Sequence, residues 1–486
     1  MISDSLALAL HCRLNHKSCA ACSLLLWPGD GEVRQMTRPA RTIDVAALID
    51  QRRLSPFNYR LIVLSWVLTF FDGLDMSMIS YTAPYMRDDL NLTTAMLGNI
   101  FAAGTAGMMI GGLGCGLIAD RIGRRPMVIV TSFAFGLLTM ATAFAQTYPQ
   151  LLALRFLDGL AIGGMFPIAW ALNIEFVPTR LRAGIVAIVM LGFALGGVVA
   201  APLTNWLGPI YGWQAVYIVG GASTIVGAAV VALGLPESVR FLTSRQVKLD
   251  LLVATLKRLE PSVDARVGDH FVLGDEPSVK PHFELRDLFT GKLKVITPML
   301  WLAFFASSLA AYTLSNWIPS ILEELEVPRN VAGLVAATGV LAGSLAGVVL
   351  MLAQSRLGLT FVAWIPALAT VVSLVLGLGF VPQQFFLFVV VLQKTLVSTA
   401  HMAILSIAGT FYPSSIRASG GGWASAVAKI GAVVGPMATG LVLASGIPIL
   451  RSFAIIAICP AILCTCLIVI GLTVKESAKS QTADQT

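Results

Sequence analysis

Three observations predict an all-α, polytopic membrane protein of twelve transmembrane helices in two parallel six-helix repeats. First, the 486 residues are 56% hydrophobic and only 12% charged, whereas a soluble chain carries about 25% charged residues. Second, apolar stretches long enough to cross a bilayer recur throughout. Third, the chain aligns with itself, ungapped, at an offset of 235 residues. In that register Pro84 meets Pro319, Gly98 meets Gly333, Gly104 meets Gly339 and Gly112 meets Gly347. Arg121 and Gly123 meet Arg356 and Gly358, while Phe176, Pro178, Arg182 and Ala183 meet Phe411, Pro413, Arg417 and Ala418. Gly196 meets Gly431. Six spans separate equivalent positions, so the halves run parallel, with a site expected at their interface near midplane.

The elements follow in order. Residues 1–60 form a cytoplasmic N-terminal segment. Within it, His11, Cys12, His16, Cys19 and Cys22 are spaced too briefly and irregularly for a zinc module. No secretory cleavage pattern follows, so 1–35 reads as an upstream extension and Met36 as the expected start. The first half, 61–235, holds apolar spans at about 61–85, 96–118, 127–145, 150–174, 184–206 and 214–235. A linker at 236–294 mixes basic and acidic residues. The second half, 295–473, holds spans at about 296–321, 331–352, 361–380, 384–409, 420–444 and 450–473, and 474–486 is a tail. Seven cysteines are scattered, four of them in apolar segments, and imply no disulfide framework. Orientation comes from the short loops. Arg121, Arg124, Arg125, Arg180, Arg182, Arg356 and Arg417 fall on one side, against Arg87, Arg329 and Arg451 on the other. The first set marks the cytoplasmic side, with both termini and the linker; a cell (inner) membrane, lipid contact and a monomer are expected.

Ionisable residues inside spans carry the functional signal. Asp72 and Asp75 lie about 18 and 22 Å into the first span, counted from Arg60 at roughly 1.5 Å per residue, near the middle of a hydrocarbon core about 30 Å thick. An ionised aspartate there costs on the order of 3 kcal/mol, so intramembrane acids read as functional. Three residues apart, the two share a helical face; the alternative is a structural pair satisfied by a neighbouring helix. The repeat places Ser307 and Ala310 opposite them, so the halves have diverged chemically. Arg155 is a candidate to hold an anion or govern proton release, the alternative being a local pair with Asp158. In the second half Lys394 and His401 share a face of span ten. Lys429 lies about 14 Å into span eleven, among small residues that favour close packing and an inward-facing ammonium. Glu175 ends span four, where it either pairs with Arg180 and Arg182 or gates.

The turn between spans two and three reads Gly116-Leu-Ile-Ala-Asp120-Arg121-Ile-Gly123-Arg124-Arg125. Glycine permits the turn, and Asp120 is expected to face the positive N-terminal end of span three. This sequence resembles the G-x-x-x-D-R-x-G-R-R hallmark of the major facilitator superfamily, in which the loop is thought to latch the cytoplasmic side. The second copy, Ser355-Arg356-Leu357-Gly358, is degenerate, implying a one-sided latch. Arg155-Phe-Leu-Asp158-Gly159, continuing to Gly163-Gly164, resembles the superfamily's R-x-x-x-G-x-x-x-G-G, although Asp158 lies outside that pattern. Leu235-Pro236-Glu237-Ser238-Val-Arg240-Phe-Leu242 resembles a sequence that follows span six in several facilitator families, and serves as a topological marker.

Asp72-Gly73-Leu74-Asp75 with Ala83-Pro84 is similar to the D-G-x-D…A-P of the aromatic acid:H⁺ symporter family. Tyr412-Pro413, Ile416 to Gly420, Trp423, Lys429 to Ala432 and Gly435-Pro436 are similar to that family's second-half signature, with lysine at 429 where arginine is usual. The resemblance implies proton coupling at Asp72 and Asp75, transport-critical charges at Arg155 and Glu175, and an inner-loop charge at Arg417 in the gating loop. Glu175 is set with the proton-coupling acids, and Arg155, Lys429, Lys394, His401, Trp317 and Trp423 are the candidate substrate contacts. Phe70 and Tyr312 are further candidates for aromatic contact. The expected cargo is a small organic anion of the benzoate or hydroxybenzoate type, moved with protons by alternating access. Lysine at 429 lacks arginine's planar two-point grip on carboxylate, which keeps quinate or a dicarboxylate open as alternatives. An exporter of the same fold remains another, although span five lacks its adjacent Gly-Pro. No nucleotide-binding motif or catalytic triad is present, and no enzyme activity, cofactor, metal or nucleic acid is expected.

Overall fold

Long helices begin where the sequence supplies caps and break where it supplies glycine or proline. The computed structural model describes residues 41–275, 284–413 and 416–483; the cysteine and histidine cluster of 1–35, and Met36, lie outside the described residues. Strand β1 (Thr42–Asp44) precedes helix α1 (Val45–Gln51). Asp44 caps α1, its Oδ1 accepting the Ala46 and Ala47 amides at 3.0 and 3.2 Å. Span one is α2 (Pro56–Leu90), opened by proline in its first turn and by Asn58 Oδ1, which accepts the Ser55 amide at 3.0 Å. Spans two to four are α3 (Thr94–Ile122), α4 (Arg124–Thr142) and α5 (Tyr148–Glu175). Spans five and six form α6 (Arg182–Gly234), one run bent at Gly212 (φ 77°, ψ 169°), just after Pro209.

The second half repeats the plan. Span seven is α9 (Leu293–Glu324), after the linker helices α7 (Val239–Arg245) and α8 (Leu249–Leu259). Spans eight and nine run together as α10 (Arg329–Gly377). Span ten is α11 (Gln383–Phe411), span eleven α12 (Arg417–Ala444), and span twelve α13 (Ile449–Ile456) with α14 (Ile458–Ala483). The 235-residue register is visible in the packing. A Cβ on Gly196 would stand 1.9 Å from the Phe70 carbonyl oxygen, and one on Gly431 would stand 2.3 Å from that of Phe305. Phe70 and Phe305 are themselves 235 residues apart. Small residues let each helix pair approach backbone to backbone, and duplication preserved the contact.

One departure from the sequence reading concerns the polar lead-in and the linker, which fold together. β1 pairs in parallel with β2 (His270–Val272), Thr42 opposite His270 and Asp44 opposite Val272. Helix α8 buries Leu252, Val253, Leu256 and Leu259 in the same cluster as Val45, Ile49 and Phe271. Buried Arg52 ties this unit to the bundle, donating to the Leu259 carbonyl at 2.6 Å and toward the Phe176 carbonyl at 3.4 Å. Apolar residues at helical spacing in α1 and α8 explain the docking: neither helix buries its stripe alone.

The end of the bundle that carries this unit is the linker end. At the opposite, far end the halves are joined by charge. Arg87 of α2 pairs with Glu323 and Glu324 of α9, and Arg329 of α10 pairs with Asp88 and Glu323. The Arg329 guanidinium also covers the Tyr85 ring at 4.7 Å. Ser80 Oγ donates to the Asn316 carbonyl at 3.0 Å, and Asn205 Nδ2 donates to that of Asn330 at 3.0 Å.

Candidate functional site

Four side chains of the first half converge in its interior. Helix α2 supplies Asp75, α4 supplies Thr139, and α5 supplies Arg155 and Asp158. Arg155 Nη2 lies 3.0 Å from Asp75 Oδ2 and Nη1 lies 3.3 Å from Oδ1, a two-point contact. The same Nη1 donates to Asp158 Oδ2 at 2.8 Å. Thr139 Oγ1 stands 3.1 Å from Asp75 Oδ1 and 3.3 Å from Asp158 Oδ1. Asp75, Arg155 and Asp158 are 1, 3 and 0% exposed. Such charge-assisted contacts are short and strong, and buried charges persist only when paired in this way. Tyr217, on the far arm of α6, is within electrostatic reach and contacts Thr82 Oγ1 at 3.4 Å. Arg155 thus makes the local pair with Asp158 and a second ion pair with Asp75 across to α2.

Asp72 is separate from this cluster. One turn toward the linker end, it is 2% exposed, and its Oδ1 has no hydrogen-bond partner among the described residues. Tyr312 of the second half is within its electrostatic reach. There α11 presents His401, whose Nδ1 lies 3.2 Å from Ser307 Oγ and whose ring meets that of Tyr312 edge-on at 6.5 Å. Ser307 is the repeat counterpart of Asp72, so the central position holds an acid in one half and a hydroxyl–imidazole contact in the other. Lys394, one helical face along, is 2% exposed. Its stem lies over Gly339, where a Cβ would stand 2.8 Å from Lys394 Cδ. Among the described residues the ammonium makes no hydrogen bond or ion pair within normal limits.

Lys429 is not opposite the acids. It reaches across to the first half, but its Nζ lies 2.9 Å from where a Cβ on Gly112 would stand, beside Gly163. Gly163 is eight residues beyond Arg155, about 12 Å closer to the linker end. The positive partner of Asp75 is therefore Arg155, from its own half. Depth along a helix was readable from the sequence, whereas the direction of the side chain was not. Trp317 also sits apart: fully buried, it donates Nε1–H to the Pro436 carbonyl at 3.0 Å and meets Phe101 edge-on, sealing the far end. Trp423 is 43% exposed and stacks on Trp301, itself against linker residue Phe289. That placement suits an interfacial belt. Phe70 stacks on Trp66 at 5.6 Å within α2.

The linker-end turn is built differently from the expectation. Gly123 adopts φ 108°, a region that favours glycine, and a Cβ there would meet Glu237 Oε2 at 2.6 Å. Glu237, not Asp120, caps α4: its Oε1 accepts the Arg124, Arg125 and Ser238 amides at 2.9, 3.1 and 2.9 Å. Asp120 is exposed, and its carbonyl accepts from Arg245 at 3.0 Å. Gly116 lies inside α3 with open space beside it, and Arg121 is exposed. Buried Glu175 pairs with Arg124 and accepts from Ser238 Oγ, rather than pairing with Arg180 or Arg182. Arg125 reaches the Ala232 carbonyl at 3.0 Å. The Leu235–Leu242 stretch is thus a structural clamp for the latch as well as a marker. In the second half, Arg417 is exposed and its Nε approaches the Tyr412 carbonyl at 3.4 Å; the side chains around Arg356 lie outside the described residues.

Sequence reasoning missed Thr139, Tyr217 and Glu237. A threonine in an apolar span and a tyrosine near its end carry no signal of their own. Glu237 followed a helix end and gave no hint that it caps a helix more than a hundred residues earlier.

Comparison with known proteins adds the following. A model of the Major Facilitator Superfamily matches residues 65–289 and 300–486. The 4-hydroxybenzoate transporter PcaK of Pseudomonas aeruginosa is 31% identical over 81% of this chain and 88% of its own. A gallate transporter of Pseudomonas putida is 30% identical over 86% of this chain and 92% of its own. Among solved structures, the xylose transporter XylE from E. coli, in a partially occluded inward open conformation, superposes with a TM-score of 0.65 at 15% identity. It covers 85% of this chain and 97% of its own.

Proposed function

This chain belongs to the Major Facilitator Superfamily and is a membrane transporter, not an enzyme; on that premise we propose that it imports an aromatic carboxylate together with protons by alternating access. The observation that carries the reading is Lys394, a lysine side chain buried in span ten with no carboxylate paired to it among the described residues. A buried cation of that kind calls for a partner, and a substrate carboxylate is one. His401, two turns along α11 from Lys394, and Tyr312, which its ring meets edge-on, are half-buried and offer ring faces and a polar edge for an aromatic acid. The relatives named above carry 4-hydroxybenzoate and gallate by their own descriptions, which supports a benzoate ring over quinate or a dicarboxylate. Lys429, the departure from the family pattern, lies toward the linker end and leaves this choice open to the Lys394 region.

Asp72 and Asp75 serve as the proton carriers of this reading. Protonation removes the charge that would otherwise oppose their passage between states, and substrate and proton jointly favour the form that reorients. Glu175, engaged with Arg124 and Ser238, acts at the latch. The basic short loops orient the linker end to the cytoplasm. The ion pairs of Arg87 and Arg329 then close the outer side in this conformer, leaving the inner side as the route of release. The test is uptake into proteoliposomes of benzoate, 4-hydroxybenzoate, gallate, quinate and succinate, with and without an inward proton gradient. Gradient-driven accumulation confined to the aromatic acids is expected. Accumulation without the gradient, a preference for the aliphatic acids, or expulsion under the same gradient overturns the proposal.

A further inference from the structure

With every group ionised, the buried cluster of the first half is out of charge balance: two carboxylates face one guanidinium. Asp75 and Asp158 come from different helices, yet Thr139 Oγ1 and Arg155 Nη1 each contact both carboxyl groups, which brings the two acids together. Two acceptor-only carboxylates do not bond; one proton between them converts the contact into a hydrogen bond. Arg155 holds both groups in place, its Nη1 serving Asp75 at 3.3 Å and Asp158 at 2.8 Å. Thr139 has a single hydroxyl hydrogen and stands between Asp75 Oδ1 and Asp158 Oδ1, so it serves one of them at a time. No member of the trio is more than 3% exposed, so no bulk water compensates the surplus charge.

We infer that Asp75 and Asp158 form a carboxyl dyad that binds one proton between them against Arg155, and that Asp158 is a proton-coupling residue of this transporter. Asp158 lies outside the R-x-x-x-G-x-x-x-G-G pattern of span four, so the dyad is a feature of this chain's own sequence. With the proton bound, Asp75, Asp158 and Arg155 sum to zero; when it leaves, the cluster carries one negative charge. The groups facing Asp158 are Asp75 from α2, Thr139 from α4 and Arg155 from its own helix. Tyr217 of α6 faces Arg155, Asp75 and Asp158, and Asp72 lies one turn along α2. The dyad deepens the symport reading and rests on it.

The test uses purified full-length protein with 4-hydroxybenzoate as probe. Proton uptake on substrate binding is followed with a pH indicator in weak buffer, and counterflow exchange is followed against pH. Asp158→Asn is expected to take up one proton fewer per transporter than the wild type and to lose the ionisation limb of the exchange profile. Asp158→Glu, which keeps the carboxyl, is expected to retain the limb at a displaced midpoint. Wild-type proton uptake and an unchanged profile in Asp158→Asn overturn the dyad while leaving symport standing, and would make Asp158 only a support for Arg155. Absence of proton uptake in the wild type overturns symport and the dyad together. Should Asp158→Asn not fold, Thr139→Val on the same readouts decides: a displaced midpoint supports the dyad, and an unmoved one overturns it.

Discussion

The two halves of this transporter share a helix plan and differ in where they place charge. In the first half, Asp75, Arg155 and Asp158 neutralise one another apart from a single proton's worth of charge. At the equivalent positions, 235 residues on, the second half has Ala310, Val390 and Gln393; Gln393 Nε2 donates to Ser373 Oγ at 2.8 Å instead. The neighbouring position reverses the contrast. Gly159 presses its backbone on Gly104, where a Cβ would meet the Gly104 carbonyl at 1.9 Å, whereas its counterpart Lys394 lays a charged side chain over Gly339, the counterpart of Gly104. The Asp75–Arg155–Asp158 cluster therefore finds its partners within its own half, whereas Lys394 makes no ion pair among the described residues. Duplication gave two similar cradles, and in the function proposed above divergence makes one a proton store and the other an anion seat.

The substitution most able to break that contrast is Lys394→Met. If Lys394 is the anion seat, kcat/KM for uptake should fall at least about 30-fold, since removing one partner of a buried charge pair costs about 2 kcal/mol or more. Lys429→Met, beside Gly112, should fall by less than about 3-fold, the range of a screened, half-buried charge. Initial-rate uptake of a radiolabelled aromatic acid measures both. A large loss for Lys429 and a small one for Lys394 would move the seat to span eleven and dissolve the comparison as drawn.

A second pair of substitutions sharpens it. Gly159→Ala sets a methyl against backbone and forces two helices apart, so a loss of about 1–3 kcal/mol of stability is expected, read as a lowered midpoint of thermal unfolding in detergent. Gly339→Ala meets the flexible stem of Lys394, 2.8 Å away at Cδ. There the expected result is a near-normal midpoint with a raised KM, because the lysine is displaced. Equal midpoints for the two variants would mean that the Gly104–Gly159 approach yields to a methyl group without cost.

Much of this was legible in the sequence and some was not, for a common reason. Spans, breaks and the repeat follow from hydropathy and from glycine and proline placement, which are one-dimensional signals. The depth of Asp72, Asp75, Arg155 and Lys429 also follows, because rise per residue is fixed. Which neighbour a side chain meets depends on helix rotation and partner choice, and neither is written locally. Arg155 thus took Asp75, while Lys429, read as facing inward, lies by Gly112 and Gly163. Asp120 lost its expected place at the start of α4 to Glu237, a residue brought in by a segment more than a hundred residues away. The folding of the lead-in against the linker was hidden for the same reason: three-residue strands and a seven-residue helix gain stability only from each other.

That clasp provides the smallest expected effect and extends the comparison beyond the membrane, since it belongs to the first half. Asp44 accepts amides from Ala46, Ala47 and, across to the linker, Gly274 at 3.1 Å. The Gly274 amide first, then those of Ala47 and Ala46, hold its carboxyl below the usual aspartate value of 3.8 against the opposing effect of burial. A lowered folded value means that the carboxylate's contribution is complete above the ordinary value and is lost as pH falls through the folded one. At neutral pH the contribution is therefore full, and Asp44→Ala should remove about 1 kcal/mol, as for other helix N-caps. Faster amide hydrogen exchange in 42–51 and 270–274, with exchange in α9 to α12 unchanged, is the expected reading. Exchange that quickens equally in the second half would show that the clasp spans both halves, and would place the linker in the machinery of reorientation rather than in the first half alone.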